Sequence, residues 1–285
     1  MYIWSGGDGL CKYNKLTGER ILYNKANSKL PDDRVTAIEI EQSGIVWVTT
    51  RKGVLKINGS HWDTLSLERP AAYESFNRVY DVAIGADNVK WFAADGGLIR
   101  YNDTTFFVYK PDSTPFTAFT AKSVAIDQSG HIWVASIFAK VYRYYDGNWI
   151  QFTMYNSGLH SSQITSLTID QQNRKWFCSE DNGVAVFDDS TWRVFNTGNS
   201  GLQHNYVKGI AFDAQGTAWI GTYGGGLSKF DGANWTTFNT GNSGMKSAFV
   251  SSVTTDANGV VWFGTEEGVE SLSNSQWSHY PGGQN

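Results

Sequence analysis

Apolar and small polar positions follow one another in a pattern that recurs about every 43 residues along this chain. A tryptophan marks each recurrence, and the positions are Trp4, Trp47, Trp91, Trp133, Trp176, Trp219 and Trp262. Each Trp stands in a short apolar segment that runs into small residues, as in VKWFAA and TAWIGT. Short apolar segments bounded by turn residues are typical of buried β-strands.

Each repeat contains four strand-like pieces, here named A to D in chain order. Piece A alternates apolar residues, as in VTAIEIE, piece B carries the Trp, piece C reads like LSKFD, and piece D ends on an aromatic residue. Tight-turn sequences such as DQSG and DANG join A to B. Four short strands in a tandem repeat are typical of a β-propeller blade, and the longer repeat disfavours a β-solenoid. The sequence therefore predicts an all-β, seven-bladed β-propeller of four-stranded antiparallel blades, as one domain over residues 1–285.

The four pieces do not occur equally often. Pieces B, C and D occur seven times, whereas piece A occurs six times, because the first repeat begins at its Trp strand. Strand A is the innermost strand of a blade and lines the central channel. We therefore expect the first blade to lack its innermost strand, or the chain to be part of a longer parent protein.

Composition narrows the classes of partner. The net charge is −4, and no basic patch stands out, so we expect no nucleic-acid partner. No apolar run approaches 18 residues, so we expect no membrane span, and no signal segment precedes the first repeat. The two Cys residues fall at unrelated repeat positions, and of the five His residues only His160 and His204 share a face, without a placed carboxylate or Cys, so the sequence predicts no metal site, no cofactor and no disulfide.

Residues 213–235 carry a resemblance to a known family. They follow the pattern D-x-x-G-x-x-W-[IV]-G-T-x-x-G-G-L-x-K-F-D-G-x-x-W almost completely, and the phrase NTGNSGL precedes them at residues 196–202. This resembles the two-component regulator propeller repeat of bacterial extracytoplasmic sensors and secreted proteins. The resemblance implies a propeller, a role in binding a ligand or partner, and a periplasmic or secreted location.

The repeat also resembles, more distantly, that of the streptogramin lyases. These are seven-bladed propellers with a Trp strand in each blade and a catalytic His and Glu near the channel. In this chain Lys208 and Ser251 stand roughly where such a His would be expected. The resemblance therefore implies the fold of a lyase without its chemistry.

The loops that join D to A and B to C are expected on one face, around the channel mouth. They vary most between repeats, and loops that converge on a rigid scaffold are where propellers generally bind ligands. Charged and aromatic residues are interleaved there, as in a site for a glycan, a peptide or a protein. A solvated rim of mixed charge is the alternative. The candidate ligand-binding residues are Arg34, Arg51, Lys52, Arg78, Asp95, Phe138, Glu180, Tyr206, Tyr223 and Glu266.

Three functions from different classes remain open at this point. The first is a non-enzymatic module that binds a glycan, peptide or protein ligand on this loop face. The second is a carbohydrate-active or lyase-type enzyme that uses Glu180, Glu266 or His204, and it requires such groups to converge within about 5–9 Å. The third is a structural or assembly scaffold with no concave site.

Overall fold

The computed structural model describes residues 2–5, 9–14, 16–65, 78–109, 120–138, 140–161 and 163–281. Within these ranges the protein is all-β, with 27 strands and no helix, arranged in seven separate sheets. The strands of every sheet follow one another in chain order, and their registers are antiparallel. The fold is therefore a β-propeller built from antiparallel meanders, as the repeat predicts.

The sheets are numbered here in chain order. Sheet 1 contains β1 (Tyr2–Ser5), β2 (Gly9–Tyr13) and β3 (Arg20–Tyr23). Sheet 2 contains β4 (Val35–Ile40), β5 (Val46–Thr50), β6 (Gly53–Asn58) and β7 (His61–Leu65). Sheet 3 contains β8 (Val79–Ile84), β9 (Lys90–Ala94), β10 (Gly97–Tyr101) and β11 (Phe106–Tyr109). Sheet 4 contains β12 (Ala121–Ile126), β13 (Ile132–Ser136), β14 (Lys140–Tyr145) and β15 (Asn148–Phe152).

The remaining sheets repeat this arrangement. Sheet 5 contains β16 (Ile164–Ile169), β17 (Lys175–Ser179), β18 (Val184–Phe187) and β19 (Trp192–Phe195). Sheet 6 contains β20 (Val207–Phe212), β21 (Ala218–Thr222), β22 (Gly226–Phe230) and β23 (Trp235–Phe238). Sheet 7 contains β24 (Val250–Thr255), β25 (Val261–Thr265), β26 (Gly268–Ser273) and β27 (Gln276–Pro281). Six sheets thus have the predicted four strands, and sheet 1 has three, in line with the missing piece A of the first repeat.

The chain divides into two compact units. The first unit comprises Met1–Val134 with Arg143–Trp149, and the second comprises Ala135–Tyr142 with Ile150–Asn285. The core of the first unit includes a cluster around Trp47, Val54, Val79 and Phe92, which lies between sheets 2 and 3. The second unit has equivalent clusters, one around Trp176 and Ile220 and one around Trp219 and Phe263. In both units neighbouring sheets bury their apolar faces against each other.

The repeat Trp is held by an acidic residue six positions earlier, at the end of strand A. The indole N–H donates to Glu41 from Trp47 (2.7 Å), to Asp127 from Trp133 (2.9 Å), to Asp170 from Trp176 (2.8 Å), to Asp213 from Trp219 (3.0 Å) and to Asp256 from Trp262 (2.8 Å). A buried indole needs such an acceptor. This bond explains why an acidic residue opens most of the A–B turns.

The innermost strand of five sheets contains a β-bulge at its second residue. The register shifts between Val35 and Ala37, Val79 and Asp81, Ile164 and Ser166, Val207 and Gly209, and Val250 and Ser252. A bulge re-aims the side chain of the extra residue. In the first unit the Thr36 hydroxyl consequently donates to the carbonyl of Val79 in the next sheet (2.6 Å). In the second unit the equivalent residue of sheet 6 is Lys208.

Two further sequence expectations concern membrane spans and the pairing of the cysteines. No helix that could cross a membrane occurs in the described part of the chain. Cys11 and Cys178 are both free thiols, and burial raises the pKa of the Cys178 thiol to about 12.

Candidate functional site

Four of the predicted site residues come together in the second unit. Glu180 follows β17, Tyr206 precedes β20, Tyr223 follows β21 and Glu266 follows β25, so each stands in a B–C or D–A loop. Hydrogen bonds and ring contacts connect them, with Phe249 in front of β24 as a further member. We call Tyr206, Tyr223 and Phe249 the aromatic ladder; Glu180 is bonded to its first ring, Tyr206, and Glu266 to its middle ring, Tyr223.

The rings of the ladder contact one another in sequence. The centroids of Tyr206 and Tyr223 lie 5.3 Å apart with planes at 48°, and those of Tyr223 and Phe249 lie 4.9 Å apart at 64°. Tyr223 and Phe249 are 39% and 38% exposed, which is high for aromatic residues in a packed row. The ladder therefore presents a continuous aromatic surface to solvent.

The backbone holds the ladder in place. The Tyr223 N–H donates to the carbonyl of Tyr206 (2.8 Å), and Tyr223 also forms a β-bridge with Phe249. Gly224 has φ +112, a conformation that side chains with a Cβ rarely adopt, and its N–H donates to the carbonyl of Ala248 (3.1 Å). The glycine run after Tyr223 is thus the turn that brings the loops of sheets 6 and 7 together.

The Glu180 end of the ladder is a small polar network. The Tyr206 hydroxyl donates to Glu180 Oε1 (3.1 Å), and Gln163 Nε2 donates to the same oxygen (3.0 Å). Lys208 Nζ donates to the Tyr206 hydroxyl (2.6 Å) and lies 4.2 Å from the Tyr206 ring centre and 5.5 Å from that of Tyr223. The bulge in β20 thus places an ammonium group against two ladder rings, a cation–π arrangement.

The surroundings of Glu266 are simpler and more exposed. The Tyr223 hydroxyl donates to Glu266 Oε1 (3.2 Å), and both Glu266 and Glu267 are exposed. The hydrogen bond to this carboxylate raises the pKa of the Tyr223 hydroxyl, so Tyr223 stays neutral at physiological pH. Glu266 Oε1 accepts from the ladder, and the rest of the carboxylate is exposed toward solvent.

His204 is engaged with the backbone of its own loop. Its Nδ1 accepts a hydrogen bond from the Tyr206 N–H (3.0 Å), which leaves the ring proton on Nε2 when His204 is neutral. The two carboxylates of the enzyme hypothesis, Glu180 and Glu266, are each bonded to a different tyrosine of the ladder. The geometry therefore ties all three groups to the ladder.

The other predicted residues lie elsewhere. In the first unit Arg34 Nε contacts Asp32 (3.3 Å), and the Arg51 N–H donates to the carbonyl of Arg34 (3.3 Å). Burial raises the pKa of Asp32, but hydrogen bonds from Arg34 and the charges of Arg34 and Lys52 outweigh it and hold this pKa below its usual value. Arg34 and Lys52 thus act on one carboxylate, that of Asp32, which balances part of their positive charge.

Asp95 belongs to a second Lys–Tyr–carboxylate group, also in the first unit. The Tyr80 hydroxyl donates to Asp95 Oδ1 (3.0 Å), and Lys122 Nζ lies 3.6 Å from the Tyr80 ring centre. The Asp95 N–H donates a hydrogen bond to the carbonyl of Arg78 (3.0 Å). Phe138, in the second unit, has φ +61 and is 72% exposed at the tip of the β13–β14 loop.

Sequence reasoning missed the polar residues that tie these groups together. The sequence places Lys208 only at the position of a lyase His, and nothing in its pattern singles out Gln163, Tyr80 or Lys122. The available signal was the second residue of piece A, which is Thr36, Tyr80, Lys122, Thr165, Lys208 or Ser251 along the repeats. This is the bulged position, and it varies more than its apolar neighbours.

One repeat of the chain matches a known family model. Residues 201–224, which contain Tyr206, Lys208 and Tyr223, match the family model described as two component regulator propeller. The chain carries a two-component regulator propeller repeat. The resemblance seen in the sequence is thereby confirmed. No curated protein matches the chain.

Solved structures with the same fold have different functions. The extracellular domain described as that of a hybrid two component system, BT3049 from B. thetaiotaomicron, matches with a TM-score of 0.80 at 19% identity, over 94% of this chain but 36% of its own. Virginiamycin B lyase from Staphylococcus aureus matches with a TM-score of 0.72 at 20% identity, over 88% of this chain and 85% of its own. An ancestral GH74 enzyme matches with a TM-score of 0.63 at 18% identity, over 86% and 37%. At these identities the likeness shows the propeller fold alone.

Proposed function

We propose that this chain is a seven-bladed propeller module that binds a glycan on the aromatic ladder, without chemical conversion, as the recognition part of an extracytoplasmic sensor. The repeat family supports the sensor role. The propeller likeness to an extracellular sensor domain, of which this chain spans 36%, supports a place in a longer protein outside the cytoplasm. The single observation that carries the ligand class is the row of Tyr206, Tyr223 and Phe249, whose two tyrosine hydroxyls are bonded to carboxylates.

The chemistry of this row fits a sugar chain. Sugar rings have apolar C–H faces that stack on aromatic rings, and hydroxyl groups that need acceptors and donors at fixed places. The exposed rings of Tyr223 and Phe249 offer the stacking surface. The carboxylates of Glu180 and Glu266 accept hydrogen bonds from hydroxyls, and the Lys208 ammonium donates them. A peptide is the competing ligand class, since aromatic surfaces with polar groups beside them also bind peptides.

The test is binding of the purified chain to a panel of neutral oligosaccharides and of peptides, with affinities from calorimetry. We expect an oligosaccharide to bind, and Tyr223→Ala to weaken it roughly tenfold, about 1–2 kcal/mol, because a central aromatic contact is lost. Tyr223→Phe keeps the ring and should lose less. Tyr155→Ala is the matched control, since Tyr155 is 91% exposed and stands outside the ladder.

Two results would count against the proposal in different ways. Unchanged affinity in both Tyr223→Ala and Phe249→Ala would show that the ligand binds at another place. Binding of peptides, with no oligosaccharide bound by a folded sample, would show that the ligand class is wrong.

A further inference from the structure

A cleft away from the ladder lies between sheets 5 and 6 of the second unit. It encloses about 90 Å³, room for several water molecules, and its walls include Arg174, Trp176, Val186, Arg193, Phe195 and Phe230. Trp176, Phe195 and Phe230 form an aromatic wall, since Phe195 stacks on Trp176 at 6.1 Å and contacts Phe230 at 5.2 Å. The proposed glycan site uses none of these residues.

The repeat explains why a cleft occurs at this place. In sheets 2 and 6 the residue paired with the repeat Trp on strand C is a lysine, Lys56 opposite Trp47 and Lys229 opposite Trp219. The ammonium groups lie 5.2 and 5.5 Å from the indole centres, and Arg143 lies 5.6 Å from Trp133 in the same way. In sheet 5 the residue paired with Trp176 is Val186. The short side chain of Val186 leaves space on the side of Trp176 where sheets 2, 4 and 6 carry a long basic side chain on strand C.

Two guanidinium groups border the space that Val186 leaves. Arg174 lies 5.4 Å from the Trp176 ring centre, and its Nε donates to Asp170 Oδ2 (2.5 Å) while Nη2 donates to Gln172 Oε1 (3.3 Å). These bonds hold Arg174 in one orientation. Arg193 is the residue directly opposite Val186 on β19, and its guanidinium lies 6.0 Å from the Phe195 ring centre. Within the described residues Arg193 has no hydrogen bond or ion pair.

The acidic residue at the cleft does not neutralise these groups. Asp188 accepts hydrogen bonds from the backbone N–H and the hydroxyl of both Ser190 and Thr191, which complete the turn between β18 and β19. The bond from the Thr191 N–H is the largest of the effects that hold the pKa of Asp188 well below its usual value. Its carboxylate therefore makes its hydrogen bonds within its own turn, and the charged donors that line the cleft are the guanidinium groups of Arg193, which is exposed, and Arg174.

We propose that this cleft binds a small organic anion, a carboxylate carried on a flat apolar body. The carboxylate would accept hydrogen bonds from Arg193 and from the free nitrogen of Arg174, because guanidinium groups bind carboxylates in a planar, charge-assisted geometry. The apolar body packs on Phe195 and Phe230 in the volume above Val186. The site is separate from the ladder and does not depend on the glycan-binding function.

Benzoate is the probe, and the side-chain Nε–Hε NMR signals of the arginines are the readout in the intact chain. We expect benzoate to shift the Arg174 and Arg193 signals saturably, with a dissociation constant of about 1 mM for a ligand of this size. Benzamide has the same shape without the charge, and acetate has the charge without the flat body. Both should bind about tenfold more weakly or not at all.

The chain supplies its own matched variants. Val186→Lys installs the side chain that sheet 6 carries at Lys229, so it should fill the cleft and abolish the benzoate shifts in a folded protein. Arg193→Thr installs the residue of sheet 6 at Thr236 and should weaken benzoate about tenfold. Thr236→Arg adds an arginine beside the filled position of Lys229 and should create no second site.

Some results of the benzoate experiment would contradict the proposed anion site. Equal binding of benzamide and benzoate would overturn the role of the two arginines. Saturable benzoate shifts that persist in Val186→Lys would overturn the site itself. The same holds if the wild-type chain shows no shift at benzoate concentrations tens of times the expected dissociation constant. Neither result would bear on glycan binding at the ladder.

Discussion

Glu39 on β4 and Asp81 on β8 are two carboxyl groups on inner strands of the first unit. Burial, assisted by the charge of Asp81, raises the pKa of Glu39 to about 7. Burial also raises the pKa of Asp81 to about 6, although hydrogen bonds from the Ser123 hydroxyl (2.7 Å) and the Val124 N–H (3.0 Å) act in the opposite direction. These bonds make Asp81 a connection between sheets 3 and 4. Near neutral pH the pair therefore carries less than two full charges.

The raised pKa values predict how the stability of the protein depends on pH. A carboxyl group whose pKa is higher in the folded than in the unfolded protein stabilises the fold at low pH, and this stabilisation is lost as pH rises through about 6–7. Glu39→Gln removes the group that would ionise. We expect the variant to gain about 2 kcal/mol over the wild type at pH 8, and much less at pH 5, in urea unfolding. A gain that is equal at both pH values would contradict this, and Glu267→Gln is the exposed control.

At the scale of the element, the recurring sequence N-x-x-N-S-G forms a loop that is held by hydrogen bonds between its own residues. In the loop after β19 the Asn196 N–H donates to Asn199 Oδ1 (2.9 Å), and the Ser200 hydroxyl donates to the Asn196 carbonyl (2.6 Å). The same two bonds recur at Asn239, Asn242 and Ser243 after β23. The loop ends at Gly201, which packs so closely against the side chain of Trp235 in the next sheet that a Cβ would not fit. The phrase thus sets the spacing between neighbouring sheets.

This contact predicts a sharp difference between two glycines of one loop. A Cβ on Gly201 would overlap the Cβ and ring of Trp235, whereas a Cβ on Gly198 would meet only the side chain of Asn196, at 3.2 Å. Gly201→Ala should therefore lower the free energy of unfolding by about 1–3 kcal/mol through overpacking, and Gly198→Ala by clearly less. Thermal or urea unfolding of the two variants measures the difference. Equal losses would mean that the Trp235 contact does not set the spacing.

Comparison of the elements shows which features the sequence predicts and which it does not. The Trp strands, the acidic A–B turns and the three-stranded first sheet follow from local patterns, because each depends on residues near in sequence. The position of Lys208 against Tyr206 depends on a bulge, which shifts one residue without a change in the apolar pattern. The cleft at Val186 is visible only when strands of different repeats are aligned by register. Buried Lys175 likewise depends on Asp189, 14 residues away, for its ion pair.

For the whole molecule, the strands of the propeller form the scaffold and the loops carry the candidate functional groups. A sensor's extracellular domain, a streptogramin-type lyase and a GH74 enzyme share this fold with the chain at 18–20% identity. The same fold therefore supports quite different sites, and the loops between the strands are where such sites differ. In this chain those loops carry the aromatic ladder, with its ionisable groups bonded to one another.

That bonding predicts binding without turnover. Glu180 accepts a hydrogen bond from the Tyr206 hydroxyl, Glu266 accepts one from the Tyr223 hydroxyl, and His204 Nδ1 accepts one from the backbone, so all three groups are already engaged with the ladder loops. Hydrolysis of a glycosidic bond needs two carboxyl groups that flank the bond directly. An oligosaccharide held at saturation with the chain for a day should be recovered unchanged by mass spectrometry, and Glu180→Gln should alter its affinity only. Cleaved product that disappears in Glu180→Gln or His204→Ala would instead identify the ladder as an active site, and the ladder residues would then be the substrate-binding part of an enzyme.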